Sequence, residues 1–313
     1  MNVEATAIRK LVEQKSPDRT VVERIKYNVA EKAVLPNREV FWRQLVIALL
    51  TSQQRSTEGS PVSRFAQESP FPLALHEYNK LKDSQVEVAI RSRSLRFGNR
   101  ITGFLRENYT WLFGPDNGWA TIEPLLKKLV KQRESLPEIS QIALERDVAH
   151  VLGEKLRGIG PKQSRNLLQE LALTRYEIPL DSRVAGWLNE NLGWGIPIPQ
   201  LAGKRYYEGV LDRVQSVCQA AGVLPAVFDA AAWVAGKSGA PSARPTTVPG
   251  YVNHRGQVVI RNTGLPGTDH LQMIYQLGCS NCGHIYGANG SDIHDRKCPK
   301  CQDGAKGLDY KAR

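Results

Sequence analysis

Two groups of residues in this chain have the types and spacing that chemistry requires. The first runs L-R-G-I-G-P-K from Leu156 to Lys162 and, after one helix-length and a return, reaches I-P-L-D, ending on Asp181. An amine and a carboxylate brought to one cleft can attack a carbon centre and stabilise the positive charge that develops there. The second is Cys279, Cys282, Cys298 and Cys301, a C-x2-C-x15-C-x2-C pattern in which two short turns each present two thiolates to one metal.

Each member of the first group has a plainer reading beside the chemical one. Gly158 and Gly160 allow a tight connection into a helix that opens with Pro161 and Lys162. The backbone N–H groups of such a turn suit one DNA phosphate, and an ordinary helical hairpin uses the same glycines. Lys162 is either a solvated lysine or a partly desolvated, neutral amine ready to attack. Asp181 follows Pro179 and precedes a predicted helix, which suits an N-cap; a cap is held rigidly, so capping and catalysis are compatible.

The segment from 156 to 187 resembles the helix-hairpin-helix DNA glycosylases, the superfamily that includes endonuclease III and the 8-oxoguanine glycosylases. The resemblance extends more weakly over residues 36 to 222. It implies that Lys162 is the nucleophile of a bifunctional glycosylase and lyase and that Asp181 is its partner, with the spacing of the 8-oxoguanine branch. A second matching stretch, L-L-T-S-Q-Q-R-S at 49 to 56, implies that Gln53 enters the DNA beside the flipped nucleotide, with Gln54 next to it. Without the resemblance, that glutamine pair reads as a polar cap or turn. Where family members often carry a histidine two positions after the aspartate, this chain has Arg183, an expected DNA contact of different chemistry. The iron-sulfur cysteine pattern of endonuclease III is absent, so no such cluster is expected. The implied substrate is duplex DNA with a damaged base, an oxidised purine such as 8-oxoguanine foremost. A glycosylase for a natural base modification in defence against foreign DNA and a non-catalytic DNA-binding adaptor are the competing classes.

The surrounding sequence must position these groups. Apolar residues at helical spacing predict helices over E-V-F-W-R-Q-L-V-I-A-L-L-T-S-Q-Q, through Phe41, Leu45, Ala48 and Leu49, and through Ile142, Val148, Val151 and Leu152. Further helices are predicted over 21–33, 121–133, 163–173, 183–191 and 204–221. Trp42, Trp187 and Phe228 are either core or lining of a base pocket. No G-x-G-x-x-G follows a predicted strand and no βα alternation appears, which argues against a nucleotide-binding α/β domain. The expected fold is mostly α, a helix-hairpin-helix glycosylase fold followed by a small β-rich zinc-binding domain.

The run G-K-S-G-A-P-S-A-R-P-T-T-V-P-G, residues 236 to 250, reads as a linker. The expected division is a helical extension over 1–35, the glycosylase domain over 36–235, this linker, and a zinc-ribbon-like domain over 251–313. In the last, Y-V-N-H-R-G-Q-V-V-I-R predicts a hairpin around His254 to Gln257 and a strand through Val258, Val259 and Ile260. So short a segment buries little apolar area, so a metal is physically expected. Four thiolates favour a closed, tetrahedral, structural zinc; redox cysteines and an iron centre are the alternatives. His284 and His294 are alternative ligands, but four sulfurs already satisfy zinc, which favours solvated or hydrogen-bonded histidines; Arg296, Lys297 and Lys300 beside the second pair suit phosphate or plain solvent.

The net charge of +11, from 42 basic and 31 acidic residues, favours a polyanionic partner. Leu45 to Leu50 is too short to cross a bilayer and the N-terminus lacks a signal-peptide core, so a cytoplasmic protein without membrane association is expected, acting as a monomer. The lone Cys218 reads as a core thiol.

Overall fold

The computed structural model describes residues 2–51, 54, 58–132, 138–238, 246–268 and 272–310. The chain divides into two compact units, Met1–Ser238 and Gly239–Arg313. The first is helical: α1 (Val3–Lys15), α2 (Arg19–Arg24), α3 (Arg38–Leu50), α4 (Pro61–Gln67), α5 (Leu75–Tyr78), α6 (Asp83–Arg91), α7 (Gly98–Phe113), α8 (Trp119–Gln132), α9 (Glu138–Lys155), α10 (Pro161–Glu170), α11 (Ser182–Leu192), α12 (Lys204–Ala221) and α13 (Pro225–Ser238). Among the described residues, no single helix is long and apolar enough to cross a membrane.

Two apolar cores organise this unit. The first gathers Phe41, Leu45 and Leu49 of α3, Leu105 of α7, Ile122 and Leu126 of α8, Val148 and Leu152 of α9, and Leu167 and Leu168 of α10. These are the stripes that the 3.6-residue period places on one face, and truncating any such leucine to alanine costs about 2–5 kcal/mol. Trp42 belongs to this core, with its indole Nε1 donating to the Leu73 carbonyl at 2.8 Å and its ring edge-on to Tyr78. The second core joins Val184 and Leu188 of α11, Tyr207, Leu211 and Cys218 of α12, and Phe228 and Ala231 of α13. Ala5, Ile8, Leu11 and Val21 pack into it as well, so the helices before residue 36 are built into this core. Trp187 packs edge-on against Phe228, 5.4 Å between ring centroids.

Element ends differ from the sequence expectation for local reasons. The helix expected over 21–33 is α2 followed by a π-helical turn, Ile25–Ala30, closed by the Glu31 N–H on the Lys26 carbonyl at 2.8 Å. In this wider turn Asn28 is buried and its amide donates to the carbonyls of Gln169 and Thr174. The alanine-rich α13 continues to Ser238, into the start of the expected linker, because Ala-Ala-Ala propagates a helix well.

The second unit is a three-stranded antiparallel sheet in the order β1 (Gln257–Pro266), β2 (Met273–Cys279), β3 (Ile285–Asn289). Register pairs Val259 with Leu277 and Leu277 with Tyr286. The turn before β1 has Gly256 at φ +75, the left-handed region that favours glycine, and bonds the Asn253 N–H to the Gln257 carbonyl. Among the described residues its apolar cluster joins Val259, Leu277, Tyr286, Ala288 and Ile293.

Candidate active site and metal centre

The hairpin between α9 and α10 is held from below. Asn108 of α7, 1% exposed, accepts the Arg157 N–H at 2.7 Å and donates to the Arg157 carbonyl at 3.0 Å. Gly158 has φ +80, and a Cβ there would overlap the Phe104 ring and Leu49. Gly160 differs: it is extended, has open space around it, and N-caps α10 with no side-chain bond. The first turn of α10 therefore keeps its positive end uncapped by any side chain.

Lys162, in that first turn, is half-buried. Desolvation pushes its pKa below the ordinary lysine value, with the Arg183 charge adding to the fall; Asp181, Asp229 and Glu170 pull it back. Its Nζ donates weakly to Gln163 Oε1 at 3.4 Å, and Gln163 Nε2 donates to Thr51 Oγ1 at 3.3 Å at the end of α3. Asp181 N-caps α11: Oδ1 accepts the N–H groups of Arg183 and Val184 at 2.8 and 3.0 Å, so the cap engages one carboxylate oxygen. Lys162 and Asp181 line one cleft of about 330 Å³.

Sequence reasoning missed Asp229, Trp233 and Arg24, which also line that cleft. Asp229 of α13 is 6% exposed; burial and the neighbouring Asp181 push its carboxyl up to about 7, against Arg24, Lys162 and a hydrogen bond from Gln169 Nε2 at 3.1 Å. Trp233, one turn further along α13, also lines the cleft. Arg24 reaches it from α2, 3.5 Å from Glu170. The available signal was the single acid in the apolar run A-V-F-D-A-A-A-W-V-A, where a buried charge needs a reason.

The other residues expected to contact DNA differ in their surroundings. Arg183 lays its guanidinium over Trp233, 4.7 Å from the ring centroid. Gln54 is a bracket: Nε2 donates to the Leu50 carbonyl at 2.8 Å and Oε1 accepts the Arg96 N–H at 2.9 Å, so both amide ends serve the fold. Gln53 lies outside the described residues. Trp42, Trp187 and Phe228 are packing residues, and the cleft takes Trp233 instead.

In the second unit the four cysteine sulfurs all lie within 4.8 Å of one another. Cys279 and Cys301 are 3.7 Å apart, Cys282 and Cys298 3.6 Å. A tetrahedron with metal–sulfur bonds of about 2.3 Å has edges near 3.8 Å, so the set fits a four-coordinate metal ion. Burial works against a Cys279 thiolate, but hydrogen bonds from the N–H groups of Cys282 and Asn281, the Cys301 thiol and the Gln257 amide together outweigh it and bring the pKa down to about 6. The Lys300 N–H points to Cys298 Sγ at 3.4 Å. With four protein ligands such an ion would have no open coordination position, which suits a structural rather than a reactive role.

No protein-family model matches the chain, and no curated protein matches it in sequence. Solved structures do. The 8-oxoguanine DNA glycosylase of Methanocaldococcus jannaschii matches at 16% identity with a TM-score of 0.53, over 75% of this chain and 95% of that one. The structure of the M. jannaschii glycosylase/lyase with a 15mer DNA containing 8-oxoguanine matches at 15% identity and TM-score 0.54, over 74% and 98%. The 8-oxoguanine DNA glycosylase of Thermotoga maritima matches at 18% identity and TM-score 0.55, over 75% and 96%. At these identities the likeness is one of architecture: the protein has the fold of the 8-oxoguanine DNA glycosylases.

Proposed function

We propose that this protein is a DNA glycosylase with lyase activity that removes a damaged base, an oxidised purine such as 8-oxoguanine foremost, from duplex DNA. The observation that carries the reading is the cleft shared by Lys162 and Asp181, in which desolvation biases the lysine toward its neutral form. The flipped nucleotide enters that cleft, whose volume of about 330 Å³ lies at the small end of ligand pockets. The Gly158–Gly160 turn holds a neighbouring phosphate and fixes the height of the strand.

Lys162 Nζ attacks C1′ of the deoxyribose as the glycosidic bond breaks, and the bonding pair leaves with the base, which takes up a proton. The Asp181 carboxylate stabilises the positive charge on the sugar and accepts the ammonium proton. Ring opening yields an imine between Lys162 and C1′. Removal of a C2′ proton then expels the 3′ phosphate and cuts the strand. The four cysteines would hold a zinc ion, which would support the second unit and supply no chemistry to these steps.

Borohydride, which reduces the imine to a stable amine, tests the reading across oxidised purines, oxidised pyrimidines, alkylated bases, uracil and modified cytosines. The expected result is a covalent complex with native protein, strongest on an oxidised purine, and none with Lys162→Ala, which still binds duplex. Absence of a complex on every member of the panel overturns it. A complex confined to modified cytosines moves the substrate from damage to natural modification.

A further inference from the structure

We propose that Arg165 is a positioning residue that sets the Lys162 amine against the Asp181 carboxylate; the proposal rests on the roles given to those two residues above. Arg165 is 1% exposed, and its contacts run in two directions. Toward Lys162, Nη1 donates to the Pro161 carbonyl at 3.0 Å, the group immediately before the lysine. Toward Asp181, Nε donates to Glu177 Oε2 at 2.7 Å, on the segment that leads to the aspartate. The guanidinium also lies over the Tyr207 ring, 4.9 Å from its centroid. The Tyr207 hydroxyl donates to the Ile178 carbonyl at 2.9 Å and accepts the Leu180 N–H at 2.7 Å, the residue just before Asp181. A continuous buried chain of contacts thus joins the residue before Lys162 to the residue before Asp181, through neither of them.

The segment it holds has little structure of its own. Residues 177 to 181 form neither helix nor strand, so side chains fix their place. Glu145 Oε2 accepts the N–H groups of Tyr176 and Glu177 at 2.9 Å, and Oε1 that of Arg175 at 2.9 Å. Glu177 Oε1 accepts from Arg146 at 2.8 Å and from Gln215 at 3.0 Å. Arg165 differs from these anchors in lying on α10 itself, one turn after Pro161 and Lys162, so that it ties the lysine's own helix to this segment.

Stability alone does not explain such a residue. An apolar pair of equal volume often serves a core as well as a buried ion pair does. Arg165 Nη2, moreover, has no hydrogen-bond partner among the described residues, a penalty that a residue kept only for packing would not carry. What the planar guanidinium supplies is direction: its donors leave at fixed angles, so the Pro161 carbonyl and the Glu177 carboxylate cannot shift independently. Reacting groups misplaced by about 1 Å lose about 100-fold in rate.

The test uses the full-length protein and the best substrate of the borohydride panel. Arg165→Met leaves Glu177 paired with Arg146 and Gln215; Arg165→Met with Glu177→Gln serves if the single variant does not fold, and Arg165→Lys is the conservative control. Affinity is measured on a duplex with a tetrahydrofuran abasic analogue, and chemistry by single-turnover excision and by borohydride trapping at a preformed abasic aldehyde. The expected result for folded Arg165→Met is affinity within about threefold of native with excision and trapping both lower by about 100-fold, and at least about tenfold recovery in Arg165→Lys. A merely structural role instead lowers the melting temperature and the active fraction, leaving the rate per folded molecule unchanged. Excision by the folded variant within about threefold of native overturns the positioning role while the glycosylase reading stands. Native protein that traps nothing overturns the glycosylase reading first, and the positioning role with it.

Discussion

The buried carboxyl group of Asp229 shares a cleft with the Lys162 amine, and each draws the other toward its charged form while burial opposes both. Asp229 titrates at about 7 rather than 3.8, so the folded protein keeps a proton that the unfolded chain releases. Its contribution to stability is full below the unfolded pKa and is lost as the pH rises through about 7. A shift of about three units corresponds to roughly 4 kcal/mol, an upper figure because charges nearby adjust. Asp229→Asn keeps an oxygen for Gln169 and removes the titration. Urea unfolding at about pH 5 and about pH 8 is expected to show a steeper fall with pH in native protein than in the variant. Glu145 titrates at about 7 with the same sign in both proteins, so parallel curves would count against the assignment to Asp229.

Asp181 separates capping from chemistry through two substitutions. Asparagine caps a helix as well as aspartate, so Asp181→Asn is expected to stay within about 0.5 kcal/mol of native stability, while Asp181→Ala loses about 1 kcal/mol with the two N–H bonds to Oδ1. Both remove the charge beside Lys162. Excision by either is expected to fall by at least about 100-fold. Activity surviving in Asp181→Asn but not in Asp181→Ala would reduce the residue to a cap.

The sequence showed the helices that bury a single stripe, because Phe41, Leu45 and Leu49 or Val148 and Leu152 recur with the helical period. It showed the four cysteines that come together, because each C-x2-C turn presents two sulfurs at short range; that the two turns meet is the work of the fold between them. It did not show Asp229 or Arg24, which reach the cleft from α13 and α2 through tertiary packing that no local spacing encodes. The Gln54 bracket was hidden for the same reason: its partner is the backbone of Arg96. Strands β2 and β3 escaped notice because their residues alternate weakly around the glycines Gly278 and Gly287.

The two hairpin glycines are expected to respond differently to alanine. Gly158→Ala meets both a left-handed backbone and the Phe104 ring, which together cost roughly 2–4 kcal/mol. Gly160→Ala meets neither, so thermal unfolding is expected to move by no more than about 2 °C. A loss of duplex affinity in folded Gly160→Ala, steeper at low salt, then reports on phosphate approaching that backbone. Equal affinity in native and variant protein would place the phosphate elsewhere.

Among the described residues the apolar cluster of the second unit joins only Val259, Leu277, Tyr286, Ala288 and Ile293, too few to offset the entropy of ordering its chain, so its fold is expected to depend on a metal. Elemental analysis is expected to find about one zinc per chain. Cys298, fully buried between its two turns, is the most demanding ligand to replace. Cys298→Ser is expected to lose most of the zinc and, in hydrogen exchange, the protection of β1 to β3, while the amides of α3, α9 and α10 stay protected because their core is separate. Full protection of the sheet after chelation under reducing conditions would show that the four thiols do not need a metal to hold this unit together.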